Sequence, residues 1–304
     1  MTAYAHHVRP VALRERPHMG RRFTHLSADV DILFRDGRIA ALGHSLPRGE
    51  GTRILDCSSG YVLPGLIDCH VHLTSGGEAG DLTRRDPIAT RAFEAANNAS
   101  RTLMAGFTTV RDLGAPEQLN IHLARAIQAG TVSGPTILAA GLGVTMTGGH
   151  GHGFIAREAD GPDEVRKAVR EQLRAGAGAI KLFASGGVLT PGVDPRSPSF
   201  TEGELRAGVE EGHKAFRAGV KLAMGTDRGT PLNRPGENAQ EIARMVRAGL
   251  SPAAAILAAT AWAADLLRVD AGRLVEGLHG DAVVFASDPL MDISGSPGLT
   301  RSPP

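Results

Sequence analysis

The sequence predicts an α/β protein, a parallel sheet covered by helices, and three observations carry that prediction. Short apolar strand patterns alternate with Ala-rich helical patterns over most of the 304 residues. Residues able to do chemistry fall at the C-terminal ends of those strands, where parallel α/β sheets and barrels carry their sites. A small antiparallel β unit precedes the alternation, and short-strand pattern returns near the C-terminus.

Composition narrows the function classes. Lys and Arg number 33 against 32 Asp and Glu, so there is no basic field to attract nucleic acid or an anionic membrane. No apolar run reaches the roughly 20 residues of a membrane span. Cys57 and Cys69 form neither a CxxC motif nor a disulfide framework, and no secretory pattern opens the sequence. A reducing cytoplasm is the expected location.

Taken in order, residues 1–27 are basic and without a clean period, and are expected to be poorly ordered. Val30, Ile32 and Phe34 then alternate, Asp36-Gly37 makes a hairpin turn, and Ile39, Ala41 and Leu42 continue on the return strand. Arg53-Ile54-Leu55-Asp56 adds a short strand. The stretch from Val62 through Pro64-Gly65 to Leu73 reads as a buried strand ending in His70-Val71-His72. With a side-chain period of two, Asp68, His70 and His72 share a face while Cys69 and Val71 point into packing. Two imidazoles converging in this way make a metal half-site, since neutral imidazole is a common ligand for zinc and its neighbours. The pair alone also fits two core or surface histidines.

A Gly-rich loop follows at 75–80, then a helix over 88–104 closed by Gly106 in the C-cap manner, and a strand Phe107-Thr108-Thr109-Val110-Arg111-Asp112. The cycle repeats with a helix near 117–129 and a strand over 136–140. A glycine-rich loop carrying His150 and His152 comes next; its glycines lack the spacing and the strand-to-helix context of a dinucleotide fingerprint. A helix over 162–175 leads to a strand over 179–184, with Lys181 inside an apolar run. A lysine there is expensive unless neutralised, paired or modified. A helix over 202–217 leads to a strand over 220–227 that ends in Gly225-Thr226-Asp227, a carboxylate at a strand tip. Helices near 238–248 and 252–267, short strands near 273–274 and 281–285, and a Ser-Gly-Pro tail expected to be disordered complete the chain.

These residues resemble the metal-dependent amidohydrolase superfamily, in its imidazolonepropionase-like and Xaa-Pro dipeptidase-like branch. The resemblance is carried by Leu63-Pro64-Gly65-Leu66-Ile67-Asp68-Cys69-His70-Val71-His72, Gly106 to Asp112, Ile180-Lys181, Gly225-Thr226-Asp227, Gly236-Glu237-Asn238 and Gly280-Asp281-Ala282-Val283-Val284. It implies a (β/α)8 TIM barrel over 61–270 and a small β-sandwich built from both chain ends, 1–60 and 271–304. It also implies hydrolysis of a C–N bond in an amide, cyclic amide or dipeptide, with a small-molecule or dipeptide substrate as partner. His70 and His72 would be metal ligands, Lys181 the bridging lysine that is carbamylated in two-metal members, and Asp227 both ligand and general base. His150 and His152 would meet substrate at the mouth. The implied cofactor is a divalent metal, zinc first.

The chain departs from that pattern chiefly in one respect, with two smaller departures in the terminal β unit, whose first strand is blurred and whose closing strands are not expected. The family's two further histidine ligands come from the fifth and sixth barrel strands, and between 187 and 220 there is room for one loop and one helix. Three βα units of about 30 residues each would be needed there. The run 210–219 looks like the front of one family helix joined to the back of another, and His213 within it lies on a helix rather than at a strand end. The expected fold is therefore a barrel truncated by strands 5–7, its sheet left open, rearranged or completed by a partner chain as in a homo-oligomer. One ion is expected, on His70, His72 and Asp227 with Lys181 nearby. A catalytically impaired or inactive remnant is the second reading.

Overall fold

Five strands lead the chain: β1 (Thr2–Pro10), β2 (Val30–Arg35), β3 (Arg38–Gly43), β4 (Arg53–Asp56) and β5 (Tyr61–Pro64). They belong to a computed structural model that describes residues 2–10, 30–47, 52–57, 60–78, 86–187, 189–213, 223–247, 250–291, 293 and 298–299. The turn between β2 and β3 has Asp36 at φ 50° and Gly37 at φ 72°. Two successive left-handed residues give a turn whose twist matches that of the strands it joins. β1 corrects the expectation that 2–10 is irregular: it pairs antiparallel with β2 and parallel with β4. It also pairs parallel with β5, and a backbone ladder supplied by neighbouring strands needs no side-chain period, so the sequence carries no sign of it. Residues 11–27 lie outside the described residues.

The alternating part begins with β6 (Leu66–Val71), α1 (Ile88–Met104), β7 (Phe107–Asp112), a 3-10 turn at Pro116–Gln118, α2 (Leu119–Gln128) and β8 (Thr136–Ala139). β6, β7 and β8 form a parallel sheet in that order. β9 (Gly143–Thr145) and β10 (Ala156–Glu158) pair with each other, and α3 (Gly161–Ala175) and α4 (Glu202–His213) follow. Then come α5 (Gln240–Arg247), α6 (Pro252–Ala258), α7 (Ala261–Leu267), β11 (Ala282–Phe285) and β12 (Gly298–Leu299). β11 pairs antiparallel with β5, so both chain ends enter one sheet of order β12-β11-β5-β1-β2-β3, with β4 beside β1. Tyr61–Pro64 thus belongs to the terminal sheet, and the parallel sheet begins after Gly65 with β6.

Two expected strands are looser than the sequence suggests. Residues 179–184 contribute only an isolated parallel bridge, Leu182 to Val144. Residues 223–228 run beside β6 without a regular ladder, joined by Cys69 N–H to Met224 O (2.8 Å), Asp227 N–H to His70 O (2.7 Å) and His72 N–H to Arg228 O (2.6 Å); 220–222 lie outside the described residues. Between Gly187 and Ala223 the described residues hold α4 and no strand. The helix expected over 252–267 breaks at Ala259-Thr260. The break frees two carbonyls for the neighbouring strands: Ala258 O accepts from Met224 N and Ala259 O from Ile67 N, each at 2.8 Å.

The core sits between β6–β7 and the helices. α1 buries Arg91, Ala95, Asn98, Ala99, Thr102 and Leu103, a three-and-four spacing that makes one helical face. Ala95 and Ala99 pack with Leu66, Val71, Phe107 and Val110. Ile67 and Cys69 pack against Ala263, Ala264 and Leu267 of α7. Cys69 and Val71 are therefore packing residues, and the C-terminal tips of β6 and β7 are held rigidly for the site. Among the described residues no helix is long and apolar enough to cross a membrane.

Candidate metal centre

His70 and His72 reach the end of β6 and Asp227 the end of the segment beside it, and their donor atoms meet. His70 Nε2 lies 3.3 Å and His72 Nε2 3.4 Å from Asp227 Oδ1. All three donors lie within 4.8 Å of one another. A divalent ion with ligand bonds of about 2.0–2.2 Å holds tetrahedral donors about 3.3–3.6 Å apart, so both carboxylate–imidazole spacings fit one. The set of two imidazole nitrogens and one carboxylate oxygen is a zinc-type donor set.

Backbone and buried carboxylates orient these ligands. His72 Nδ1 is 3.0 Å from Gly114 O. A carbonyl only accepts, so Nδ1 carries the proton, and a ring nitrogen held in this way is the common support of a metal-binding histidine. The Gly114 loop is fixed by Asp112, fully buried, which accepts from Leu73 N (2.8 Å), Gly114 N (3.3 Å) and Asn120 Nδ2 (2.8 Å). Asp68, also fully buried, accepts from His70 N, Thr226 N, Thr226 Oγ1 and Asn238 Nδ2. Asp227 has φ 57°, a left-handed conformation that asparagine and aspartate tolerate better than most residues. Asn233 Nδ2 and Thr230 Oγ1 hold its carbonyl at 2.9 and 2.7 Å.

The surrounding charges act differently on the two histidines. Burial, then the nearby Lys181 and His72, push His70 down to about 3 against the opposing pull of Asp227, so its ring is neutral. Burial also works against the charged form of His72, but the Asp227 hydrogen bond and the Asp112 and Asp227 charges outweigh it and raise its pKa. For Asp227, burial is outweighed by the His72 hydrogen bond and the His70, His72 and Lys181 charges, which hold it below the usual carboxylate range. Burial lowers Lys181, with Arg111 helping and Asp227 opposing.

These groups line an open cavity of about 460 Å³ together with His150, Lys181, Phe183 and Thr230. Lys181 Nζ stands 5.1 Å from the centroid of the Phe183 ring. His150 packs on the edge of that ring at 5.0 Å, and its Nδ1 is 2.8 Å from Thr190 Oγ1. His152 goes elsewhere: its Nδ1 donates to Gly149 O at 2.8 Å, and the ring lines a neighbouring cavity with Glu117, Phe154 and Leu189. The structure thus brings together His70, His72, Lys181, Asp227 and His150 and separates His152 from them. Asp112, Thr226 and Asn238 lie in motifs that carry the resemblance, but nothing in the sequence assigns them a part in holding the ligands; Asn120 stands in none of those motifs, and only the shared face of Asp68 with the histidines pointed towards this support.

The Amidohydrolase family model matches this chain in two pieces, residues 61–215 and 199–298. Ochratoxinase of Aspergillus niger is 34% identical over 187 residues, covering 51% of this chain and 38% of that protein. The chain therefore spans well under half the length of that relative in the matched region. Imidazolonepropionase of Anaeromyxobacter sp. (strain K) is 26% identical over 331 residues, covering 77% of each. That alignment is longer than the 304-residue chain, of which it covers 77%, so it contains gaps on this chain's side. In three dimensions, a Xaa-Pro dipeptidase crystallised with methionine in its active site superposes with a TM-score of 0.82 at 23% identity, covering 97% of this chain and 96% of that one. That likeness shows the fold, a TIM-barrel-like hydrolase fold. With the family model matched from the start of β5 to β12, the chain belongs to the Amidohydrolase family.

Proposed function

We propose that the chain is a metal-dependent hydrolase of a C–N bond in a small amide, cyclic amide or dipeptide. The observation that carries the reading is the gathering of His70 Nε2, His72 Nε2 and Asp227 Oδ1 within 4.8 Å in the floor of an open cavity. These three residues would hold one divalent ion, zinc first by donor type. When bound, such an ion acidifies a water and polarises a carbonyl. Asp227 is ionised at neutral pH because its neighbours lower its pKa, so its carboxylate can accept the proton of the attacking water and relay it to the leaving nitrogen. His150 stands at the cavity wall as a hydrogen-bonding contact for substrate. Lys181 lines the same cavity, and burial keeps its amine closer to the neutral form, which is the form that takes up carbon dioxide in relatives with a bridging lysine.

A second reading, a remnant with impaired or no activity, is favoured by the two-piece family match that overlaps at 199–215 and by the gaps on this chain's side of the alignment with imidazolonepropionase. Both suit an internal loss of barrel strands 5–7 and their two histidines. Zinc-loaded protein assayed on a panel of dipeptides, lactams and simple amides separates the readings. Hydrolysis that vanishes in Asp227→Asn supports the enzyme. Hydrolysis unchanged in that variant overturns the role of Asp227, and tight zinc binding with no turnover across the panel supports the remnant.

A further inference from the structure

Asp68 is a carboxylate with no exposed surface, and a buried carboxylate is tolerated only when its lone pairs are saturated. Four donors do this. Oδ1 accepts from His70 N and Thr226 N, both at 3.1 Å, and Oδ2 accepts from Thr226 Oγ1 at 2.6 Å and Asn238 Nδ2 at 2.7 Å. Two of these donors are backbone groups of the ligand-bearing tips: His70 itself, and the residue that precedes Asp227. One carboxylate therefore anchors both.

One backbone bond, Asp227 N–H to His70 O at 2.7 Å, joins the same two residues directly, and the Asp68 carboxylate braces it from the buried side. Between β6 and residues 223–228 there is no regular ladder, only the three backbone bonds described above. Asp227 sits at φ 57°, a conformation that a non-glycine residue keeps only when its surroundings hold it. Asn238 is fully buried, and Gly236 N donates to its Oδ1 at 3.1 Å. That bond fixes which end of the amide faces Asp68.

We propose that Thr226 and Asn238 are positioning residues of the metal centre, which through the Asp68 carboxylate set the distance between His70 and Asp227. The inference rests on His70, His72 and Asp227 being metal ligands. Supporting groups of this kind change metal affinity by about 10–100-fold when removed.

The test uses Co²⁺ alone, titrated into the full-length apo protein and followed by its visible absorption bands, beside thermal melting of the apo protein. Thr226→Val keeps shape and the backbone N–H bond but removes the hydroxyl; Asn238→Leu removes the amide. Both are expected to bind Co²⁺ at least about tenfold more weakly with altered band positions, while Thr226→Ser restores wild-type affinity and spectrum. Wild-type affinity and bands in Thr226→Val, with only the melting temperature lowered, would show a merely structural network and overturn the inference. If Asn238→Leu does not fold, Thr226→Val against Thr226→Ser decides alone. A wild-type protein that binds no Co²⁺ overturns the metal-site reading along with the inference, whereas binding by wild type and variants alike overturns only the inference.

Discussion

His72 donates from Nδ1 to the carbonyl oxygen of Gly114 across 3.0 Å, which leaves Nε2 aimed at Asp227 Oδ1, 3.4 Å away. The side chain is 6% exposed, and its orientation is set before any ion arrives. His70 is more open, with a side chain 31% exposed. The two histidines should therefore differ in weight. Wild-type protein dialysed against zinc is expected to retain one equivalent, His72→Ala to lose more affinity than His70→Ala, and the double variant to retain none. Metal analysis after dialysis checks this, and equal metal content in wild type and double variant would remove the site assignment.

The Gly114 carbonyl stays in place because Asp112 and Asn120 hold its loop. Asn120 is wholly buried and donates to Asp112 Oδ1 at 2.8 Å. Asn120→Leu takes a donor from a buried carboxylate, a loss of about 1–3 kcal/mol. Urea unfolding should show a lower midpoint with an unchanged slope, and zinc affinity should fall with it. An unshifted midpoint would mean that Asp112 has found a replacement donor, and the proposed brace would not be needed.

Much of the centre was legible because it is local. A side-chain period of two along β6 brings His70 and His72 together, and the Gly-Thr-Asp end of the opposite segment supplies Asp227. What was not legible depends on distant partners or on backbone. Thr226 and Asn238 meet Asp68 across 158 and 170 residues, and Gly114 contributes a carbonyl that its side-chain identity does not announce. His150 and His152 look equivalent in sequence. They diverge because Gly148, Gly151 and Gly153 all take positive φ, so the loop reverses and no strand period applies. The strands expected at 179–184 and 220–227 were readable as apolar runs, but their pairing was not, because it depends on distant backbone: Leu182 meets Val144 through an isolated bridge, and residues 223–228 meet β6 through three hydrogen bonds.

Both cysteines should be chemically silent in the folded protein. Cys69 is 3% and Cys57 6% exposed. Burial, with the Asp68 charge added and Arg111 opposing, pushes the Cys69 thiol up to about 12. Burial and Asp56 raise Cys57 as well. The thiolate is the reactive form, so at neutral pH a disulfide reagent is expected to titrate no thiol in the native state and both in denaturant. Quick labelling of Cys69 in native protein, located by peptide mapping, would show that α7 does not cover β6 as described, and quick labelling of Cys57 would show the same of its packing in the terminal sheet.

Gly229 tests how tightly the tip beside β6 is built. It has φ 100°, and a Cβ there would lie 2.0 Å from the carbonyl oxygen of His72. Its own N–H donates to Asn233 O at 2.9 Å, and Asn233 in turn holds the carbonyl of Asp227. Gly229→Ala therefore combines backbone strain of about 1–3 kcal/mol with a clash against backbone, which cannot swing aside as a flexible side chain would. The expected result is a clear loss of stability and of zinc retention together. Asp227→Asn is the matched control, because asparagine accepts a left-handed φ: it should melt close to wild type while losing metal. If Gly229→Ala melts and binds zinc like wild type, the Asp227 loop is not the rigid support that the geometry describes.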